Sequence, residues 1–229
     1  MEGAKPPQDP YDFSLVLGGP LYQLVRRAHL SGGALELLRR RVIVISLFAW
    51  LPLLVLSVLG GRAWGDAVRV PFLVDIEVHV RYLLALPLLI LAELVVHQRM
   101  RPVARQFLER GLIPESSRAR FDLAMASAAR LRNSVLAEVL LIAFVYLVGV
   151  FYLWPRYSAL TVPTWYAVPI SGGRQLSAAG WWFACVSLPL FQFILLRWYF
   201  RLFIWMRFLW QVTRSKLSLV PTHPDRAGG

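Results

Sequence analysis

The chain has 229 residues, 57% of them hydrophobic and 17% charged, with a formal net charge of +12. Soluble domains carry roughly 25% charged and 45–50% apolar residues. Here the apolar excess lies in blocks, which excludes an ordinary soluble domain and points to a bilayer protein. The basic residues flank those blocks instead of covering one soluble face. Membrane topogenesis and anionic lipid headgroups explain that placement, and nucleic acid is not an expected partner. Cys185 is the only cysteine, so an intramolecular disulfide and a thiolate metal cluster are excluded, and it reads as a packing residue inside an apolar run.

Residues 1–41 form a polar to amphipathic N-terminal segment, too long for the n-region of a signal peptide. Met1 to Pro10 is expected to be disordered. After Gly18-Gly19-Pro20, Leu21, Leu24, Val25 and Ala28 share one face of a short interfacial helix. Arg39-Arg40-Arg41 then abuts the first apolar run.

The pattern predicts an all-α integral membrane fold with four spans, at about 42–60, 78–97, 135–154 and 179–197. Pro52 and Pro87 lie inside the first two, which membrane helices tolerate when neighbours satisfy the freed carbonyls. Just before the second span, Asp75 and His79, and Glu77 and Arg81, are spaced as i,i+4 pairs at a helix start. Asp75 and His79 are also the best placed residues for a metal, but two ligands fall short of a zinc site, and no metal or other cofactor is expected.

Residues 97–134 carry eight arginines against three acids. Met100, Val103, Ala104, Phe107 and Leu108 mark an amphipathic helix that Gly111 and Pro114 terminate. A second helix is expected from a Ser116 or Ser117 cap, with Phe121, Ala124, Met125 and Ala128 as its apolar face. No proline follows until Pro155, so the expectation is one continuous helix running from about 115 into the third span. The 154–178 segment, with Tyr157, Trp165 and Tyr166, reads as an outer loop with interfacial aromatics. The fourth span should end near Arg197 on length. Residues 198–229 then form an aromatic and basic interfacial segment with snorkelling arginines.

With both termini inside, 20 of the 25 Lys and Arg fall on the cytoplasmic side and 5 outside. That bias predicts an N-in, C-in, multi-pass protein of the inner (plasma) membrane. Two acids lie within spans, Glu93 and Glu138, each about one turn from the inner end. His97 follows Glu93 by four residues. Arg130 shares a helix face with Glu138, and Gln192 and Arg197 approach from the fourth span. Glu93, His97, Arg130, Glu138, Gln192 and Arg197 are therefore the candidate intramembrane polar cluster, read either as an ion or proton path or as a structural ion-pair network near the interface. No phosphate-binding glycine loop and no catalytic triad spacing occurs, so no catalytic residue is assigned and an enzyme is not the expected class.

The Arg-Gly-Leu-Ile-Pro stretch (110–114), Ala-Arg-Leu-Arg-Asn-Ser (129–134) and the His-Pro-Asp-Arg-Ala-Gly-Gly end (223–229) together resemble a group of uncharacterised bacterial multi-pass inner-membrane proteins. The resemblance implies further apolar spans after residue 229, making this chain an N-terminal fragment, and it brings no binding residue with it. Two functions are expected to compete: small-solute or ion transport, and a membrane-embedded scaffold or sensor that binds anionic lipid or a protein partner. A homo-oligomer or additional membrane helices would complete the bundle.

Overall fold

A computed structural model describes residues 34–93, 95–96, 99, 113–153, 162–170 and 173–214. The interfacial helix expected at 21–28, the amphipathic helix at 100–108, His97 and the tail from 215 lie outside the described residues. The chain divides into two compact units, one made of Leu30–Ala92 and Leu136–Trp198, the other of Met1–His29, Glu93–Val135 and Tyr199–Gly229.

The first unit begins with α1 (Ala34–Leu59). Ser46, Ala49, Leu53 and Ser57 form its buried face, while Ile43, Val44, Leu47, Phe48, Leu51 and Val55 on the opposite side are exposed. Small residues at 46, 49 and 57 allow close helix approach, and the Ser187 hydroxyl donates to the Ala49 carbonyl at 2.7 Å. The chain leaves α1 through Gly61, whose φ of 64° suits a residue without a Cβ. α2 comprises Ile76–His79, a π-helical stretch Val80–Ala85 and α-helix to residue 93. Val78, Tyr82, Leu86 and Ile90 repeat every fourth residue along its buried face.

α3 (Glu115–Arg132) and α4 (Val135–Phe144, continuing as a π-helix over Val145–Leu153) replace the single helix expected from 115 onward. The break falls at Asn133-Ser134. Asn133 has φ −90° and ψ 5°, outside the helical region, and its side-chain oxygen accepts from Arg132 Nε at 3.1 Å. Asn is a weaker helix former than Leu131 and Arg132 before it, and a search for proline and glycine alone does not find this break. The start of α3 also differs from expectation. Pro114 is the N-cap, and its carbonyl accepts from Ser117 N at 2.8 Å.

α5 runs Ala178–Thr213, 36 residues long, with a π-helical stretch at Phe183–Ser187. It does not stop at Arg197. At 1.5 Å per residue it is about 54 Å long, against about 30 Å for a bilayer core. All three π stretches end two residues before a proline in the sequence, at Pro87, Pro155 and Pro189. Proline cannot donate to the carbonyl four residues earlier, and widening the helix eases the clash of its ring. For Pro189 that carbonyl is Cys185 O, which accepts from the Tyr146 hydroxyl at 3.0 Å. Cys185 itself is exposed and is not the packing residue expected.

Among the described residues, two helices are long and apolar enough to cross a membrane, Leu38–Leu59 and Ala178–Thr213, and the pair flanking the Asn133-Ser134 break makes a third if counted as one span. The second expected span is helical over 76–93, but Glu77, Arg81 and Glu93 all fall within those eighteen residues.

The described part of the 154–178 segment carries a hairpin. β1 (Ala167–Ile170) pairs antiparallel with β2 (Gly173–Leu176) in the register Ala167↔Leu176 to Ile170↔Gly173. A parallel bridge between Val70 and Thr164 ties this hairpin to the segment after α1. Trp165 is fully buried, not interfacial, and packs edge-on against Phe72 and Phe183.

Candidate functional site

In the second unit, α3 and the C-terminal part of α5 pack through Phe121, Ala124, Met125 and Ala128 against Ile204, Phe208 and Val212. The apolar face of α3 read from its periodicity is thus taken up inside the protein. Arg207 reaches across to donate to the Ser127 hydroxyl at 3.0 Å. Glu93 continues the buried face of α2 by one turn. Its Oε1 accepts from Arg201 Nη1 at 2.7 Å, and each side chain is only 7% exposed. Burial first, and the positive charge of Arg201 second, hold the half-buried Arg132 guanidinium below its ordinary pKa.

Removing two charges from water costs several kcal/mol per ion, and only close, hydrogen-bonded contact repays it. The Glu93–Arg201 geometry meets that condition. Arg201 was expected to snorkel toward headgroups; it is buried on the carboxylate instead. The signal for this partner is Arg201 falling one turn after Arg197 on the same helix, which an early end to the span conceals.

The other predicted cluster members are distributed between the units. Arg130 is exposed on α3 in the second unit. Glu138 on α4, Gln192 and Arg197 belong to the first unit, where Glu138 and Gln192 are half-buried and Arg197 is buried. Gln192 Oε1 lies so close to Gly149 that a Cβ there would sit 2.3 Å from it.

The acids ahead of the second span are engaged within the first unit. Glu77 pairs with Arg81 as its spacing predicts. Asp75 and His79 do not form the expected pair. Asp75 Oδ2 accepts from the Trp165 indole at 2.8 Å, and Oδ1 accepts from Val78 N at 3.4 Å, capping α2. His79 Nδ1 accepts from the Trp50 indole at 3.0 Å, so this nitrogen's lone pair is already used. Both residues serve to lock an aromatic cluster of Trp50, Phe72, His79 and Trp165. Among the described residues, no group of three His, Cys, Asp or Glu is placed to hold a metal ion. No family model, no curated protein and no solved structure matches this chain.

Proposed function

We propose that this is a multi-pass inner-membrane protein that works as a membrane-embedded scaffold or sensor, binding anionic lipid through its basic segment at 97–134, with both termini cytoplasmic. The buried Glu93–Arg201 contact is the observation that carries this reading. A carboxylate and a guanidinium 2.7 Å apart, each only 7% exposed, form a charge pair shielded from water. The same contact is well suited to fix two helices. The apolar face of α3 is used inside the protein, leaving Arg118, Arg120 and Arg130 exposed on its other side. The resemblance to bacterial multi-pass proteins is consistent with this location and adds no residue role.

Transport is the second reading, favoured by half-buried Glu138 in the apolar helix α4. One set of variants separates the two. Breaking a buried pair by Glu93→Gln should destabilise the fold by about 3–5 kcal/mol, while Glu93→Leu combined with Arg201→Met should recover most of that loss. On the scaffold reading, proteoliposomes holding the full chain leak protons and cations no faster than empty ones. Anionic lipid also co-purifies in a salt-sensitive way that the triple Arg118→Gln, Arg120→Gln, Arg130→Gln variant loses. Protein-dependent flux that disappears in the well-folded Leu/Met double variant would overturn the scaffold reading.

A further inference from the structure

At the C-terminal end of α1 a cleft of about 420 Å³ opens between the helix end and the start of α5. Its walls include Leu56, Leu59 and Ala178, with Ser57, Arg62 and Trp165 as the polar and aromatic elements. That volume lies in the range of small-ligand sites, which are mainly apolar with a few placed polar groups.

The Trp165 indole and the Ser177 hydroxyl are engaged by the fold, on Asp75 and on the Trp165 carbonyl, but Arg62 and Ser57 are not. A cation at a helix C-terminus ordinarily serves the exposed terminal carbonyls. In α1 those carbonyls already have backbone partners: Gly60 N donates to Leu56 O, Gly61 N to Val58 O and Arg62 N to Ser57 O, at 2.8–3.0 Å. The half-buried Arg62 guanidinium makes no ion pair or side-chain hydrogen bond with any described residue. The Ser57 hydroxyl in the same wall is buried and has no hydrogen-bond partner among the described residues. A buried hydroxyl without a partner is costly and signals a missing acceptor or donor. Beside these groups Leu59 is 78% exposed at the end of a helix apolar enough to span a membrane. The cleft therefore places a guanidinium next to a surface suited to hydrocarbon.

We propose that this cleft binds the anionic headgroup of an amphiphile, a phosphate or carboxylate. Arg62 supplies the charge-assisted hydrogen bonds, Ser57 a hydroxyl, and Leu56 and Leu59 the contact for the first part of the acyl chain. The site does not depend on the basic segment at 97–134, and Arg62 lies outside that segment.

The test uses the full chain in dodecyl maltoside, itself a neutral amphiphile present in excess, titrated with dodecyl phosphate and followed by native mass spectrometry. One dodecyl phosphate should bind saturably. Arg62→Gln should weaken it about tenfold or more, Ser57→Ala by a smaller factor, and Arg62→Lys should retain part of the affinity. Inorganic phosphate should not compete at concentrations that saturate dodecyl phosphate. Undiminished binding by a monodisperse Arg62→Gln variant, or no saturable binding by the unmodified chain, overturns the site. Equal binding of inorganic phosphate overturns the amphiphile and leaves a free-anion site.

Discussion

Two glycines show how the same substitution acts differently according to what it meets. A Cβ at Gly180 would sit 2.0 Å from the Tyr166 carbonyl oxygen, a backbone atom fixed by the hairpin and by Ser177 N, which donates to it at 3.0 Å. A Cβ at Gly149 would meet the far end of the Gln192 side chain, which can rotate away. Gly180→Ala should therefore cost about 1–3 kcal/mol, as overpacking does, and Gly149→Ala clearly less. Denaturant unfolding in detergent micelles measures both, and equal losses would contradict the packing described. At this scale the polar residues of the aromatic cluster were legible as types but not as partners. Asp75 and His79 stand four apart in sequence, and i,i+4 spacing pairs them. The fold offers each an indole N–H instead, from Trp165 and Trp50, residues 90 and 29 positions away.

The helices were legible where apolar periodicity is long and less so at their breaks. The α3 face at Phe121, Ala124, Met125 and Ala128 follows from spacing alone, whereas the buried face of α2 lies mostly in a run that is apolar all round and is picked out only by packing. The break at Asn133-Ser134 does not follow from spacing, because it falls at an ordinary pair of polar residues with neither proline nor glycine. Replacing both by alanine should restore helical hydrogen bonding across the junction. Amide hydrogen exchange at residues 133–136 is expected to slow in that variant; exchange as fast as in the parent would place the cause of the break elsewhere. The prolines act at the same scale. Pro189 makes the Cys185 carbonyl available, and Tyr146 on a different helix donates to it, so the irregularity of one helix is answered by a residue of another.

For the molecule as a whole, the exposed surface of α1, α4 and the latter part of α5 carries a long series of large apolar residues, among them Phe48, Leu51, Leu140, Leu147, Phe203 and Met206. Water does not tolerate an apolar surface of that extent, whereas hydrocarbon does. The chain should accordingly remain in the membrane pellet after alkaline carbonate and high salt, and require detergent for extraction. Release by carbonate would be incompatible with spanning helices and would limit the protein to the membrane surface. The cleft beside Arg62 and the Glu93–Arg201 contact lie in different units, so variants at one should leave the binding or stability readout of the other unchanged.

The sequence by itself determined the helical membrane class, the positions of the apolar segments and the charge asymmetry around them, because burial in hydrocarbon imposes composition and period on a segment whatever its neighbours. It also marked Glu93 as a carboxylate in an expected span, to be read either as part of an ion path or as a structural ion pair. Tertiary structure alone decided that Arg201, 108 residues away, is the partner of Glu93, that Trp165 is buried against Phe72 and Phe183, and that the Arg62 guanidinium is left available beside a cleft. Partner choice between distant residues depends on which helix faces meet, and no local pattern encodes that.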